Sequence, residues 1–167
     1  MKLRHLFFAC SGVFVMMFSL LLLVVIVFSD EEDGGSGGNL IYGGVSVSQE
    51  VLAHKPMLEK YAREYGIEEY LNVLLAIIQV ESGGTLEDVM QSSESLGLPP
   101  NSLSTEESIK QGCKYFSELL AAAETKGCDL NSVIQSYNYG GGFLDYVAGR
   151  GKKYTFELAE SFARDKS

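Results

Sequence analysis

Residues 71–84, LNVLLAIIQVESGG, restrict what this chain can fold into more than any other stretch. Apolar side chains fall on every side of the run from Val73 to Ile78, so a helix here must be enclosed by the rest of the domain. Its length and the stop at Gly83-Gly84 favour helix over strand, although Val and Ile alone allow either. Glu81 then falls at the C-terminal end of an enclosed helix, beside a polar loop. Desolvation and the negative end of the helix dipole both disfavour its charged form. A carboxyl kept protonated near neutral pH is what a general acid requires. The plainer reading is an ordinary glutamate at a helix end, pointing into water. Asp88, Gln91 and Glu94, which follow within one short stretch, count against it.

Two segments precede the domain. Leu6 to Phe28 is uncharged and strongly apolar, with Lys2, Arg4 and His5 before it and Asp30 to Asp33 after it. As a helix, its 23 residues reach about 35 Å, against roughly 30 Å of hydrocarbon. No small-x-small exit follows, and Cys10 lies too early in the run for a lipoprotein cysteine. The expectation for residues 1–29 is an uncleaved single-pass signal anchor, with the C-terminal part extracellular. Residues 30–45, DEEDGGSGGNLIYGGV, read as a flexible acidic, glycine-rich linker.

Residues 46–167 suffice for one domain with a real core. They hold 18 of the 22 acidic residues and 11 of the 13 basic ones, a net charge of −7. That balance argues against nucleic acid as a partner, since affinity for phosphate comes from lysine and arginine. The pattern is helical throughout. Ser46 or Ser48 caps a short first helix, Pro56 opens the next, and Gly66 closes it. Glu68 and Glu69 open the central helix, and a long loop with Pro99-Pro100 runs from Ser82 to Ser104. Ser104 and Glu107 form a capping box for a helix to about Lys126, with Ile109, Cys113, Phe116 and Leu120 along one face. Gly127 ends it, Asp129 caps the next, and two short helices complete the chain. A continuous helix through Lys126 holds Cys113 and Cys128 roughly 20 Å apart, which predicts free thiols.

The chemistry narrows by elimination. His54 alone cannot build a histidine-rich zinc site, no nucleophile motif accompanies it, and no phosphate-binding glycine loop follows a strand. Paired carboxylates remain. Glycoside hydrolysis needs one protonated carboxyl for the leaving oxygen and a second as base or nucleophile. Glu81 and Asp88 are seven residues apart, and the Gly83-Gly84 break lets the chain fold one toward the other. Glu94 is the alternative partner. A loop residue or helix cap is an equally good reading of Asp88.

The order IxxESGG at 78–84, MQSSES at 90–95 and SYNYGGG at 136–142 resembles the goose-type lysozyme and soluble lytic transglycosylase group. ESGG, QSSESLGLPP and YNYGGGFLDYV with GKKYT resemble more closely the lysozyme-like muramidase domain of Gram-positive wall hydrolases carried on conjugative elements. The resemblance covers Val51 to Ala163. It implies an all-α, lysozyme-like domain, here behind a transmembrane helix and linker, that cleaves the MurNAc–GlcNAc bond of peptidoglycan without metal or cofactor. It carries Glu81 over as general acid and Asp88 as second carboxylate, with Ser82, Gln91, Ser92, Glu94, Tyr137 and Asn138 lining the groove. The implied partners are glycan strands and the membrane, with conjugation or secretion machinery as a further one. Many relatives continue into a cysteine peptidase domain; the chain stops at Ser167, so peptide cleavage is not expected. Two other readings stay open: a lytic transglycosylase in which Glu81 works alone, and a wall-binding module without activity. Tyr137 as a core aromatic and Asn138 as a helix C-cap are the plainer readings of that pair.

Overall fold

The structure, a computed structural model, describes residues 41–42 and 45–166. Leu71–Glu81 forms the central helix, with Val73 to Ile78 buried along its whole circumference, as a run apolar on every side demands. Seven α-helices lie among the described residues: α1 (Gln49–Ala53), α2 (Lys55–Glu64), α3 (Leu71–Glu81), α4 (Thr105–Lys126), α5 (Leu130–Tyr139), α6 (Gly142–Ala148) and α7 (Phe156–Lys166). Helices α1 and α2 pack on α3, while α4 packs against α2, α5 and α6. One apolar core is shared by α1 to α6; a smaller cluster of Phe143, Val147, Ala159 and Phe162 joins α6 to α7.

Local chemistry sets the helix ends. Ser48 caps α1, its side chain accepting from the Val51 amide at 3.3 Å. Pro56 lies in the first turn of α2, where its missing N–H costs nothing. Ser104 and Glu107 make the capping box of α4, and Gly127 ends that helix in the left-handed conformation. Asp129 caps α5 through the Ser132 amide. Glu68 and Glu69, expected to open the central helix, form a separate 3₁₀ turn at Glu68–Tyr70. The long loop expected from Ser82 to Ser104 contains a second one, Ser92–Leu96. On α4, Leu119 rather than Leu120 is fully enclosed.

The expected fold class needs correction. The helical, lysozyme-like domain is there, but among the described residues no helix is long and apolar enough to cross a membrane. The longest, α4, has 22 residues, and Glu106, Glu107, Lys110, Lys114, Glu118 and Glu124 along it would have to be stripped of water. The apolar run at 6–28 lies outside the described residues. The transmembrane architecture, the membrane as a partner and the single-pass membrane localisation are therefore not carried forward. A minimal ribbon also qualifies the all-α reading: Ile41–Tyr42 and Val45–Ser46 pair antiparallel, in register Ile41 with Ser46 and Tyr42 with Val45.

The N-terminal segment straps the end of α3. The Ser48 amide donates to Gln79 Oε1 at 2.7 Å, and the His54 ring nitrogen lies 2.9 Å from the Gly84 carbonyl oxygen. Gly84 has φ +76°, and a Cβ there would lie 2.7 Å from the Glu50 carbonyl carbon and from the Val51 amide nitrogen. Backbone cannot yield as a side-chain tip can. Gly84→Ala is therefore expected to cost about 2–4 kcal/mol, read as a lower urea midpoint; an unchanged midpoint would contradict the contact. Cys113 is buried and free, its thiol pushed up to about 12 by burial, and Cys128 is free and half-buried. A maleimide should label Cys128 in the native protein well before Cys113. Peptide mapping after unfolding without reductant should find both alkylated.

Candidate active site

Glu81 is the last residue of α3 and only partly exposed. Burial, then the negative charge of Glu94, then that of Asp88, pushes its carboxyl up to about 8. At neutral pH the proton therefore stays on. The turn after it is braced by Ser82, whose hydroxyl donates to the Val89 carbonyl at 2.7 Å and accepts from the Gly84 amide at 3.0 Å. Ser82 thus ties the two ends of the segment from Glu81 to Val89 rather than pointing into open space.

Asp88 is fully buried, and its carboxylate is an acceptor for three donors. Oδ1 takes the Ser92 amide at 3.0 Å and the Ser108 hydroxyl at 2.6 Å; Oδ2 takes the Ser93 amide at 3.2 Å. It therefore caps the 3₁₀ turn at 92–96, whose orphan amides need an acceptor. Ser92 is buried too, its hydroxyl donating to the Ser108 carbonyl at 2.9 Å. Gln91 is held left-handed at φ 46°, an uncommon state for a non-glycine residue. Its amide nitrogen donates to the Asp88 carbonyl and to Asn101 Oδ1, both at 2.8 Å. Glu94 is the exposed carboxylate of the group, and its charge is felt at Glu81.

From the other side, α5 brings Tyr137, 8% exposed, whose hydroxyl donates to the Met90 carbonyl at 3.1 Å. Burial holds its phenol proton on well above the usual range, and the nearby charge of Glu81 adds to this. Asn138 follows at intermediate exposure, one residue beyond the buried face of α5. Beyond it, a Cβ at Gly140 or Gly142 would meet nothing within 4 Å, and one at Gly141 would lie 3.8 Å from Leu119 Cδ2.

The expected residues thus divide. Glu81 feels the charges of Glu94 and Asp88, and Tyr137 those of Glu81 and Asp88; Ser82, Asp88 and Ser92 also brace the segment from within. Sequence reasoning missed Tyr115, whose ring centroid lies 5.5 Å from that of Tyr137. It also missed Ser108, although a serine beside Ile109 on the apolar face of an amphipathic helix is a visible anomaly. Among the described residues no group of three or more His, Cys, Asp or Glu could hold a metal ion.

This arrangement has a consequence for stability. Glu81 ionises at about 4.5 ordinarily and at about 8 when folded. Between those values the unfolded chain releases a proton that the folded one keeps, so stability falls as pH rises through this window. Glu81→Gln abolishes that loss. The variant is expected to have a higher Tm than the wild type at pH 7–8, the gap closing as pH falls toward 4.5. A constant gap across that range, in calorimetric scans, would show that Glu81 is not enclosed as described.

A family model described as lysozyme-like matches residues 48–167. The chain is 44% identical over 124 residues to a bifunctional muramidase/DL-endopeptidase, CwlT, of Bacillus subtilis, covering 74% of this chain and 37% of that protein. It is 38% identical over 121 residues to the uncharacterized membrane protein YocA of the same organism, covering 72% and 54%. A solved Staphylococcus aureus structure, described as similar to a lipoprotein of the NLP/P60 family, superposes with a TM-score of 0.73 at 75% identity, covering 74% of this chain and 42% of that one. The chain thus spans between about a third and a half of the length of these relatives. With the family model covering the whole segment from α1 onward, the chain belongs to the lysozyme-like family and carries a lysozyme-like enzyme domain.

Proposed function

We propose that the domain hydrolyses the glycan of peptidoglycan at the MurNAc–GlcNAc bond, with Glu81 as general acid. One observation carries this reading: a carboxyl at the end of a helix buried from Val73 to Ile78, pushed up to about 8 by burial and by the charges of Glu94 and Asp88, with Glu94 itself exposed. The muramidase named among its relatives supports it, as does the lysozyme-like family model over residues 48–167. In this reading Glu81 gives its proton to the glycosidic oxygen as the bond breaks. A second carboxylate then assists the oxocarbenium-like transition state or activates water. Asp88 contributes its negative charge beside Glu81 and holds the turn that carries Glu94; Glu94 is the carboxylate open to solvent. Gln91, Tyr137 and Asn138 border the groove in which the sugars lie, and Ser82 and Ser92 keep its floor in shape.

A second reading has its own observation. Because three donors enclose Asp88, Glu81 is also placed to act alone, as acid and then base, which yields a 1,6-anhydro sugar instead of a reducing end. Mass spectrometry of products from purified wall separates the two. Glu81→Gln is expected to lower glycan cleavage by orders of magnitude while the protein stays folded. Asp88→Asn should nearly abolish cleavage, since it weakens both the turn and the charge beside Glu81. Glu94→Gln should slow hydrolysis strongly but leave a transglycosylase almost untouched. Wild-type protein that binds wall without releasing any fragment would overturn both readings.

A further inference from the structure

Helix α4 gives Glu81 no charged neighbour, yet two of its residues meet Met90, Asp88 and Tyr137. Gly112 sits in the interior of the helix, where glycine is disfavoured relative to alanine. Space explains it: a Cβ there would lie 2.5 Å from Met90 Sδ, 2.8 Å from Met90 Cε and 2.9 Å from the Tyr137 hydroxyl oxygen. One turn earlier on the same face, the buried Ser108 hydroxyl accepts from the Met90 amide at 3.0 Å and donates to Asp88 Oδ1 at 2.6 Å. Tyr137 closes the circuit by donating to the Met90 carbonyl at 3.1 Å. Met90 is thus held at its amide by Ser108, at its carbonyl by Tyr137, and along its side chain by the missing Cβ of Gly112.

We propose that Ser108 and Gly112 are positioning residues of this site, setting the depth at which Met90 and the Tyr137 phenol seat and thereby how completely Glu81 is closed off from water. The inference rests on Glu81 being the working acid. The titratable groups facing that carboxyl are Asp88 and Glu94 from the braced segment and Tyr137 from α5, while His54, between α1 and α2, lies against the Gly84 carbonyl three residues on. None of these is supplied by α4. Its effect on Glu81 is through shape: a methyl at Gly112 pushes Met90 and the phenol apart and lets water reach the carboxyl, and loss of the Ser108 hydroxyl removes one of the three donors to Asp88 and the acceptor of the Met90 amide together.

The test follows the Glu81 carboxyl directly, by ¹³C NMR of glutamate-labelled full-length protein, with Glu81→Gln identifying the resonance. Wild type, Gly112→Ala, Gly112→Ala with Met90→Ala, and Ser108→Ala are compared, alongside pH profiles of wall cleavage. In folded Gly112→Ala the Glu81 midpoint should fall by about one unit or more toward its ordinary value, and the basic limb of the profile should move with it. The rate at saturating wall should drop by about 10–100-fold with little change in the concentration needed for saturation. Adding Met90→Ala removes two of the three overlaps and should recover part of both effects. Folded Gly112→Ala that is less heat-stable but superposes on the wild type in titration and pH profile would overturn the proposal. If that variant does not fold, Ser108→Ala decides by the same reading, an unmoved midpoint overturning it. A midpoint that moves in a protein that never cleaves wall would uphold the positioning role and sink the proposed function instead.

Discussion

The enclosure of α3 is the constraint on which the rest depends. A helix apolar on every side can satisfy its side chains only if the other elements wrap it, and here α1, α2 and the 3₁₀ turn at Glu68–Tyr70 pack on it within an apolar core to which α4 and α5 also contribute. Glu81 is covalently part of that helix and is drawn with it to the boundary of the low-dielectric interior. Its unusual acidity then needs no special device, for it is what the burial of Val73 to Ile78 does to a carboxyl one turn further along. The same burial supplies the stability that tolerates a destabilised ionisable group.

Around this end the chain uses hydrogen bonds from neutral donors rather than ion pairs. Ser82, Ser92 and Ser108 carry the crossing contacts, and Gln79 takes the strap from the N-terminal segment. The ion pairs of the described residues lie on the surface, for example Lys60 with Glu106 and Lys114 with Glu118, where solvent leaves them little energy. A cation beside Glu81 would have favoured its ionised form and undone the effect of burial. The neighbours it does have, Asp88 and Glu94, act in the same direction as burial.

What was legible in the sequence follows the range of the interactions involved. The capping box at Ser104–Glu107, the glycine end at Gly127 and the cap at Asp129 are set by contacts within four residues, and they fall where the pattern put them. The central helix was legible because its composition leaves one option. Asp88 shows where such reading stops. Its spacing from Glu81 made it a candidate for the groove, but whether it faces sugar or interior depends on Ser108, twenty residues later in a different helix. No local pattern contains that contact. Gly112 is similar: an interior helical glycine signals a close approach, but only the fold shows that Met90 and Tyr137 are what approach. The expectation of a membrane-spanning architecture rested on residues 6–28, outside the described residues, and no described helix has that length and apolarity together.

The stretch from Ser82 to Ser104 has almost no regular structure, yet Asp88 gathers the Ser92 and Ser93 amides and the Ser108 hydroxyl onto one buried carboxylate. Breaking any one of these leaves the others poorly satisfied, so the segment gains little by opening piecemeal. Its buried part, Asp88 to Ser93, is tied in this way to α4, unlike most long loops, whose amides exchange with solvent by local opening. The conformational entropy of these residues is surrendered once, during folding, and not again each time a ligand arrives. A ligand meeting such a surface spends none of its contact energy on ordering the protein.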